Sequence, residues 1–144
     1  MIDASLLHDF IAETGEHLEE LENNLLELEA APDNRSLLNE VFRSIHTIKG
    51  ASEYLGMTRI ARLSHTLEGL LEILRQGNRM PDQSLIDIII DARDRIAMLV
   101  QDIEKNKEEK PPIDDLIERM ESLQSAPAGR PHGEVSPPPA SSSS

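Results

Sequence analysis

Apolar residues recur along most of this chain at steps of three, four and seven, the spacing that places side chains on one face of an α-helix. In the first segment glutamates fill the positions between the apolar residues, which are Leu7, Ile11, Leu18, Leu21, Leu25 and Leu28. No segment shows the strict alternation that is typical of a half-buried β-strand. The pattern therefore predicts an all-α chain.

Short breaks divide this pattern into four long helices. The breaks lie at Pro32-Asp33-Asn34, at Gly56, and at the stretch from Gly77 to Asp82, where either Asp33 or Asn34 can cap the second helix. They predict a first helix that ends before Pro32 and three more at about 36–54, 58–76 and 82–105. Because short turns join neighbouring helices of opposite direction, we predict an antiparallel up-down four-helix bundle over about 4–105.

The rest of the chain predicts one further helix and a linker. A charged connector with two prolines precedes a short amphipathic segment, for which we expect a fifth helix at about 113–124. Residues 125–144 are rich in proline and serine and contain too few apolar residues to order themselves. We therefore expect one folded domain over 1–124 and a flexible linker over 125–144.

Composition excludes several classes of function. The 27 acidic and 14 basic residues give a net charge of −13, which repels phosphate backbones and anionic headgroups and disfavours nucleic acid and membrane surfaces as partners. Solvated acidic faces that keep a helical protein soluble would account for the charge equally well. Without cysteine the chain has no disulfide, thiol nucleophile or thiolate metal ligand. No apolar run reaches about 18 residues, so we expect a cytoplasmic protein.

His46 is the residue of the second helix with the clearest chemical potential. At 100° per residue, it lies roughly 120° from the centre of the apolar stripe, which consists of Leu38, Val41, Phe42, Ile45 and Ile48. We therefore expect an exposed His46 with Lys49 and Gly50 beside it. A neutral imidazole is a nucleophile at neutral pH, since its ordinary pKa is about 6.5. A surface histidine one turn from a lysine is also common without any function.

Gly50 and Lys49 suit a site that accepts a phosphoryl group. A glycine within a helix costs about 1 kcal/mol relative to alanine, which asks for a reason, and here the missing side chain would leave room for another protein. The ammonium group of Lys49 would stand beside the negative charge of a phosphoryl group on His46.

Three blocks of the sequence, in the same order, resemble histidine phosphotransfer domains, especially those at the N-terminus of CheA-type chemotaxis histidine kinases. They are FIAETGEHLEELE at 10–22, HTIKG at 46–50 and HTLEGLLEILRQG at 65–77. The second block resembles the family motif H-[ST]-[IL]-K-G. The resemblance covers residues 1 to about 105 and favours an N-terminal domain of a larger two-component kinase.

The resemblance implies a role for each matching residue. His46 would be the phosphoacceptor, which takes a phosphoryl group from an ATP-binding kinase domain and passes it to an aspartate of a response-regulator receiver domain. Lys49 would be the cation on the phosphate side and Gly50 the clearance position. Glu68 would hydrogen-bond His46 and fix its tautomer. The domain itself would be a relay and not a complete enzyme, and it would bind no cofactor, since ATP and Mg²⁺ belong to the partner domains.

Helical geometry separates two further residues of the resemblance. Relative to the apolar stripe of the third helix, Glu68 lies about 110° away and His65 about 170° away. Glu68 can thus reach a neighbouring helix, whereas His65 points outward and could simply be solvated. Glu53 stands where the family usually has a small residue. It faces the same way as His46, so it could weaken the phosphate electrostatics, select partners or be solvated without a role.

Other readings of the same residues are weaker but open. His65 and Glu68 have a spacing found in metal-binding bundles, in reverse order and without a second such pair. His8, His17 and His132 show no ligand spacing, and no glycine-rich phosphate loop is present. The main alternative is a non-catalytic helical docking or dimerisation module in which His46 is incidental.

Overall fold

A computed structural model describes residues 3–125, and within this range the chain forms five α-helices and no β-strand. The helices are α1 (Ala4–Ala30), α2 (Arg35–Leu55), α3 (Thr58–Arg75), α4 (Gln83–Asn106) and α5 (Asp114–Ser125). The all-α prediction is confirmed, and the helix ends lie within two residues of those predicted. The predicted linker lies outside the described residues, except that Ser125 is the last residue of α5.

The helices begin and end where the sequence breaks predict, because those residues satisfy the free backbone groups. Oδ1 of Asn34 accepts a hydrogen bond from the amide of Leu37 at 3.1 Å, so Asn34, not Asp33, caps α2. Asp82 caps α4 in the same way through the amide of Leu85, at 2.9 Å. Gly56 ends α2 in the left-handed conformation, with φ of 76°, which glycine adopts without steric cost.

Packing between the helices follows a ring. α1 contacts α2 and α4, α3 contacts α2 and α4, and α5 lies against α3 and α4. The leucines and isoleucines of the predicted stripes form a continuous core. Its largest fully buried side chains include Leu21, Leu25, Leu28, Ile45, Ile48, Ile60, Leu63, Leu67, Leu70, Leu71, Leu74 and Leu85.

Phe42 is the residue of the α2 stripe that packs against the core without being enclosed by it. Leu38, Val41 and Ile48 are buried as predicted, whereas Phe42 is only half-buried. At 100° per residue it lies about 60° from the centre of the stripe, on the side of His46. Its ring therefore lies at the edge of the core, where α2 faces α3.

The connector between α4 and α5 holds the beginning of α3. The residue before α3 is Met57, whose side chain cannot cap a helix, and the structure shows no side-chain hydrogen bond from it. The carboxylate of Glu109 replaces it, since its two oxygens accept from the amides of Arg59 at 3.3 Å and Ile60 at 2.9 Å. A carboxylate at this place also interacts favourably with the helix dipole.

Within the described residues, no helix is both long enough and apolar enough to cross a membrane.

Replacing Glu109 by alanine is expected to lower the free energy of unfolding by about 1 kcal/mol, the usual cost of losing a helix cap. Glu108→Ala is the matched control, because Glu108 lies next to it and makes only an exposed ion pair with Lys110 at 3.5 Å. Urea unfolding followed by circular dichroism measures both variants. Equal stability of the two would show that the Glu109 cap does not hold α3.

Candidate functional site

Two strips of side chains, polar except for Phe42, face each other along the edge where α2 packs against α3. Their members are three, four or seven residues apart, so each strip lies on one side of its helix. The α2 strip consists of Asn39, Phe42, His46 and Lys49, and the α3 strip of Glu68, Glu72 and Arg75.

The carboxylate of Glu68 joins His46 and Lys49. Nδ1 of His46 is hydrogen-bonded to one carboxylate oxygen, and Nζ of Lys49 donates to the other at 2.8 Å. An ionised carboxylate only accepts hydrogen bonds, so the proton of the imidazole resides on Nδ1. Nε2 of His46 therefore keeps its lone pair and is the nucleophilic nitrogen.

Exposure differs sharply among these side chains. His46 is 61 % exposed, whereas Glu68 is 14 % and Lys49 17 % exposed. The carboxylate that is hydrogen-bonded to the imidazole is thus largely shielded from solvent, while the imidazole itself is open to another molecule. The predicted exposed position of His46 and the predicted reach of Glu68 to α2 agree with this geometry.

The ionisation of Glu68 depends on its two partners. Burial by itself raises the pKa of Glu68, but the hydrogen bonds from Lys49 and His46, together with their charges, outweigh burial and hold the pKa below its ordinary value. Glu68 is therefore a carboxylate at neutral pH.

Lys49 lies closer to Glu68 than its predicted role implied. Its ammonium group donates to Glu68 and not to open solvent. In the unphosphorylated chain it balances the charge of a shielded carboxylate, which would otherwise be costly to bury.

Gly50 is exposed, and a Cβ atom added there would meet no other atom within 4 Å. The backbone of Gly50 is ordinary α-helix. Nothing within the described residues requires a glycine here, so its cost in helix stability has no internal cause.

Phe42 and Arg75 belong to the site, although the sequence pattern places Phe42 on the apolar stripe and predicts no role for Arg75. The ring of Phe42 is parallel to the imidazole of His46 within 8°, with 6.1 Å between centroids. The guanidinium carbon of Arg75 lies 4.2 Å from the centroid of the Phe42 ring. The spacing of Phe42 four residues before His46 is the signal that could have revealed the first contact.

A cleft of about 470 Å³ opens beside His46 between α2, α3 and α5. One wall belongs to α5, where the side-chain amide of Gln124 donates to the carbonyl of Thr66 at 2.9 Å. His65 lines the cleft and is exposed, as predicted, and its side chain has no hydrogen-bond partner within residues 3–125. The structure thus brings His65 near the site without a contact to His46.

Glu53 and the remaining histidines stand apart from these contacts. Glu53 is exposed and forms no side-chain hydrogen bond or ion pair among the described residues. His8 is exposed, and Nδ1 of His17 lies 3.6 Å from a carboxylate oxygen of Glu20. His132 lies outside the described residues. Across 3–125, no group of three or more potential ligands is arranged to hold a metal ion.

Comparison with known proteins finds similarity over the part of the chain that contains this site. A family model described as "Hpt domain" matches residues 5–126. The chemotaxis protein CheA of Listeria monocytogenes is 35 % identical over 119 residues, which are 83 % of this chain and 19 % of that protein. CheA of Bacillus subtilis is 34 % identical over 112 residues, or 78 % and 17 % of the two chains. This chain therefore spans about a fifth of the length of these relatives.

Solved structures agree in fold. A solution structure of the histidine phosphotransfer domain of CheA superposes with a TM-score of 0.78 at 32 % identity, covering 92 % of this chain and 100 % of that one. The CheA phosphotransferase domain from Thermotoga maritima gives 0.69 at 36 % identity, covering 73 % and 100 %. The phosphorylated P1 domain of CheA3 in complex with CheY6 from R. sphaeroides gives 0.78 at 22 % identity, covering 84 % and 96 %, and shows the shared fold alone.

Glu68→Gln is expected to release His46 from a single tautomer, because an amide can both donate and accept. Long-range ¹H–¹⁵N spectra of the imidazole at neutral pH should show the Nδ1–H form in the unaltered chain and a mixture of tautomers in the variant. Glu53→Gln, which removes an exposed carboxylate without contacts, is the control and should leave the spectrum unchanged.

The same variant tests the ionisation of Glu68. A carboxyl whose pKa is lowered by folding contributes stability above its unfolded pKa and loses it as the pH falls through its folded pKa. The stability advantage of the unaltered chain over Glu68→Gln is therefore expected at neutral pH and should disappear in acid. An advantage that is independent of pH in denaturant titrations would contradict the carboxylate assignment.

Proposed function

The chain belongs to the Hpt domain family, and we propose that His46 is its phosphoacceptor in a phosphorelay of a CheA-like two-component kinase. The donor would be the ATP-binding domain of the kinase and the acceptor an aspartate of a response-regulator receiver domain. One observation supports this most directly: the exposed imidazole of His46 donates from Nδ1 to a shielded carboxylate and keeps Nε2 free.

The proposed chemistry is nucleophilic transfer at phosphorus. The lone pair of Nε2 attacks the γ-phosphorus of ATP, the new N–P bond forms, the P–O bond to the β-phosphate breaks, and ADP leaves. Attack places positive charge on the imidazole ring, which the carboxylate of Glu68 stabilises through Nδ1. In the second step an aspartate oxygen attacks the phosphorus, the N–P bond breaks, and neutral His46 is restored.

Roles for Lys49, Gly50 and His65 follow in the same proposal. Lys49 holds Glu68 in place and adds positive charge near the transferred group. Gly50 leaves the surface beside His46 open for the partner's active site, which agrees with the open space around it. His65 lines the cleft beside His46 and makes no side-chain hydrogen bond within residues 3–125.

Contacts support the antiparallel up-down arrangement, which we propose for α1–α4. Along α2, Lys49 pairs with Glu68 and Asn39 with Arg75, so lower numbers on α2 face higher numbers on α3. The contacts of α4 with α1 run the same way, since Arg93 donates to the carbonyl of Leu18 and Gln83 to the side chain of Glu29. We also propose a domain over about 1–124 and a linker over 125–144, because residues 125–144 are rich in proline and serine and contain few apolar residues.

The relatives suggest the partners of this chain. These partners are proposals, because the chain spans only about a fifth of the length of those relatives. Their name as chemotaxis proteins supports chemotaxis as the setting, and a P1 domain of the same fold has been solved in complex with CheY6. We propose that the domain is a relay, that ATP and Mg²⁺ act in the partner domains, and that the chain resides in the cytoplasm without nucleic-acid or membrane partners.

His46→Gln is expected to abolish phosphorylation. The chain is incubated with the ATP-binding domain of the kinase and ATP labelled at the γ-phosphate, and acid-labile label on the chain is measured. The control His8→Gln changes an exposed histidine of α1, away from the cleft, and should retain the label. Label on His46→Gln equal to that on the unaltered chain would favour the docking or dimerisation module instead.

Gly50→Ala should stabilise the isolated chain and yet slow phosphotransfer. Alanine meets no atom at this position and is favoured by about 1 kcal/mol within a helix, so the thermal midpoint should rise. The added methyl group lies where a partner would approach, so phosphotransfer to the receiver domain should slow. Gly15→Ala is the control, since it also meets open space but lies on α1. A lower thermal midpoint of Gly50→Ala, or unchanged phosphotransfer, would contradict the clearance role.

A further inference from the structure

One hydrogen bond is not enough to fix the direction of Nε2. The imidazole turns about two torsions, χ1 and χ2, and the bond between Nδ1 of His46 and Glu68 restrains only one distance, so coupled changes of the two torsions can still tilt the ring. A hydrogen bond stays favourable over a range of angles and therefore survives such a tilt. In-line attack on phosphorus requires a lone pair of constant direction. A second contact with the ring therefore has a task that Glu68 cannot perform.

Phe42 provides a contact of the required kind. It lies one turn before His46 on α2, and the two rings are parallel within 8° at a centroid separation of 6.1 Å. This separation is within the range of offset aromatic pairs. Because Phe42 is half-buried, its ring is confined between the core and the surface. A flat, confined neighbour restricts the rotation that the hydrogen bond leaves free.

Arg75 in turn holds the ring of Phe42. Its guanidinium carbon lies 4.2 Å from the centroid of that ring, a cation–π distance. The guanidinium is itself fixed at two points, since Nε donates to Oδ1 of Asn39 at 2.9 Å and Nη1 to a carboxylate oxygen of Glu72 at 2.8 Å. Nε and Nη1 are thus engaged, and the guanidinium is held in place over the ring of Phe42.

We propose that Phe42 and Arg75 are positioning residues for His46: Arg75 holds the Phe42 ring, and that ring fixes the plane of the imidazole. Glu68 thus sets the tautomer, and the Phe42–Arg75 pair sets the orientation. The inference deepens the proposed function and rests on it only for the effect on phosphorylation rate. The effect on the imidazole itself is independent of any partner.

The test uses the full chain with the variants Phe42→Leu, Phe42→Tyr and Arg75→Gln. Leucine keeps apolar bulk but has no flat ring, tyrosine keeps the ring, and Arg75→Gln removes the cation above an intact Phe42. Leu26→Ala is the control, because Leu26 is 59 % exposed on α1 and does not line the cleft beside His46. Two quantities are measured: ¹³C relaxation order parameters and tautomer of the His46 imidazole, and kcat and KM for phosphorylation by the ATP-binding kinase domain.

Phe42→Leu is expected to lower the order parameter of the imidazole while leaving its tautomer unchanged, and to reduce kcat about tenfold with KM unchanged. Arg75→Gln should also lower the order parameter of the imidazole and should reduce kcat about threefold, because the cation above Phe42 is lost. Phe42→Tyr, which keeps the ring, should leave the order parameter and kcat as in the unaltered chain. Leu26→Ala should change neither.

Unchanged ring order and kcat in Phe42→Leu would overturn the proposal, and so would an equal loss in Phe42→Leu and Phe42→Tyr, which would mark Phe42 as packing only. If Phe42→Leu does not fold, Arg75→Gln decides the question by the same two measurements. An unaltered chain that takes no phosphate refutes the proposed function, whereas the order parameters still decide whether Phe42 and Arg75 orient His46.

Discussion

The packing of α2 against α3 is the constraint on which the site depends. Buried side chains such as Ile45 and Leu67 leave no freedom for the two helices to slide, because a densely packed core has discrete arrangements. That register places His46 and Lys49 opposite Glu68. A shift of one turn moves a side chain by about 5.4 Å, more than a hydrogen bond can span. The apolar core therefore determines the geometry of a polar site that it does not itself contain.

The division of exposure within the site agrees with the demands of a relay. The proposed relay needs a nucleophile that is open to separate partners, and His46 is 61 % exposed. The carboxylate proposed to orient it would have to act in every encounter, and Glu68 belongs to the same chain and is only 14 % exposed. Shielding a carboxylate is costly unless a cation is close, and Lys49 supplies that cation on the same helix as the nucleophile. Because the chain as a whole carries a net charge of −13, its overall charge does not supply the positive charge that balances Glu68.

Much of the fold and part of the site could be predicted from the sequence. The helices follow from local spacing and local caps such as Asn34 and Asp82. The exposure of His46 and the reach of Glu68 follow from helical angles alone. The role of Phe42 could not be obtained in this way, because the edge of an apolar stripe is buried or exposed according to how close the neighbouring helix lies. The Glu109 cap and the Phe42–Arg75 contact join residues far apart in sequence, where spacing carries no information.

α5 contributes more to the site than its length of 12 residues suggests. The connector that leads to α5 caps the beginning of α3 through Glu109. Near the end of α5, the side-chain amide of Gln124 donates to the carbonyl of Thr66 in α3. A Cβ atom at Gly69 would lie 3.3 Å from Nε2 of Gln124, so a larger residue after Glu68 would require the Gln124 side chain to shift by a few tenths of an ångström. α3 is thus held by the α5 region at its beginning and again beside Glu68. Because α3 carries the carboxylate that is hydrogen-bonded to His46, the fifth helix helps to fix the geometry on which the proposed role of this histidine rests.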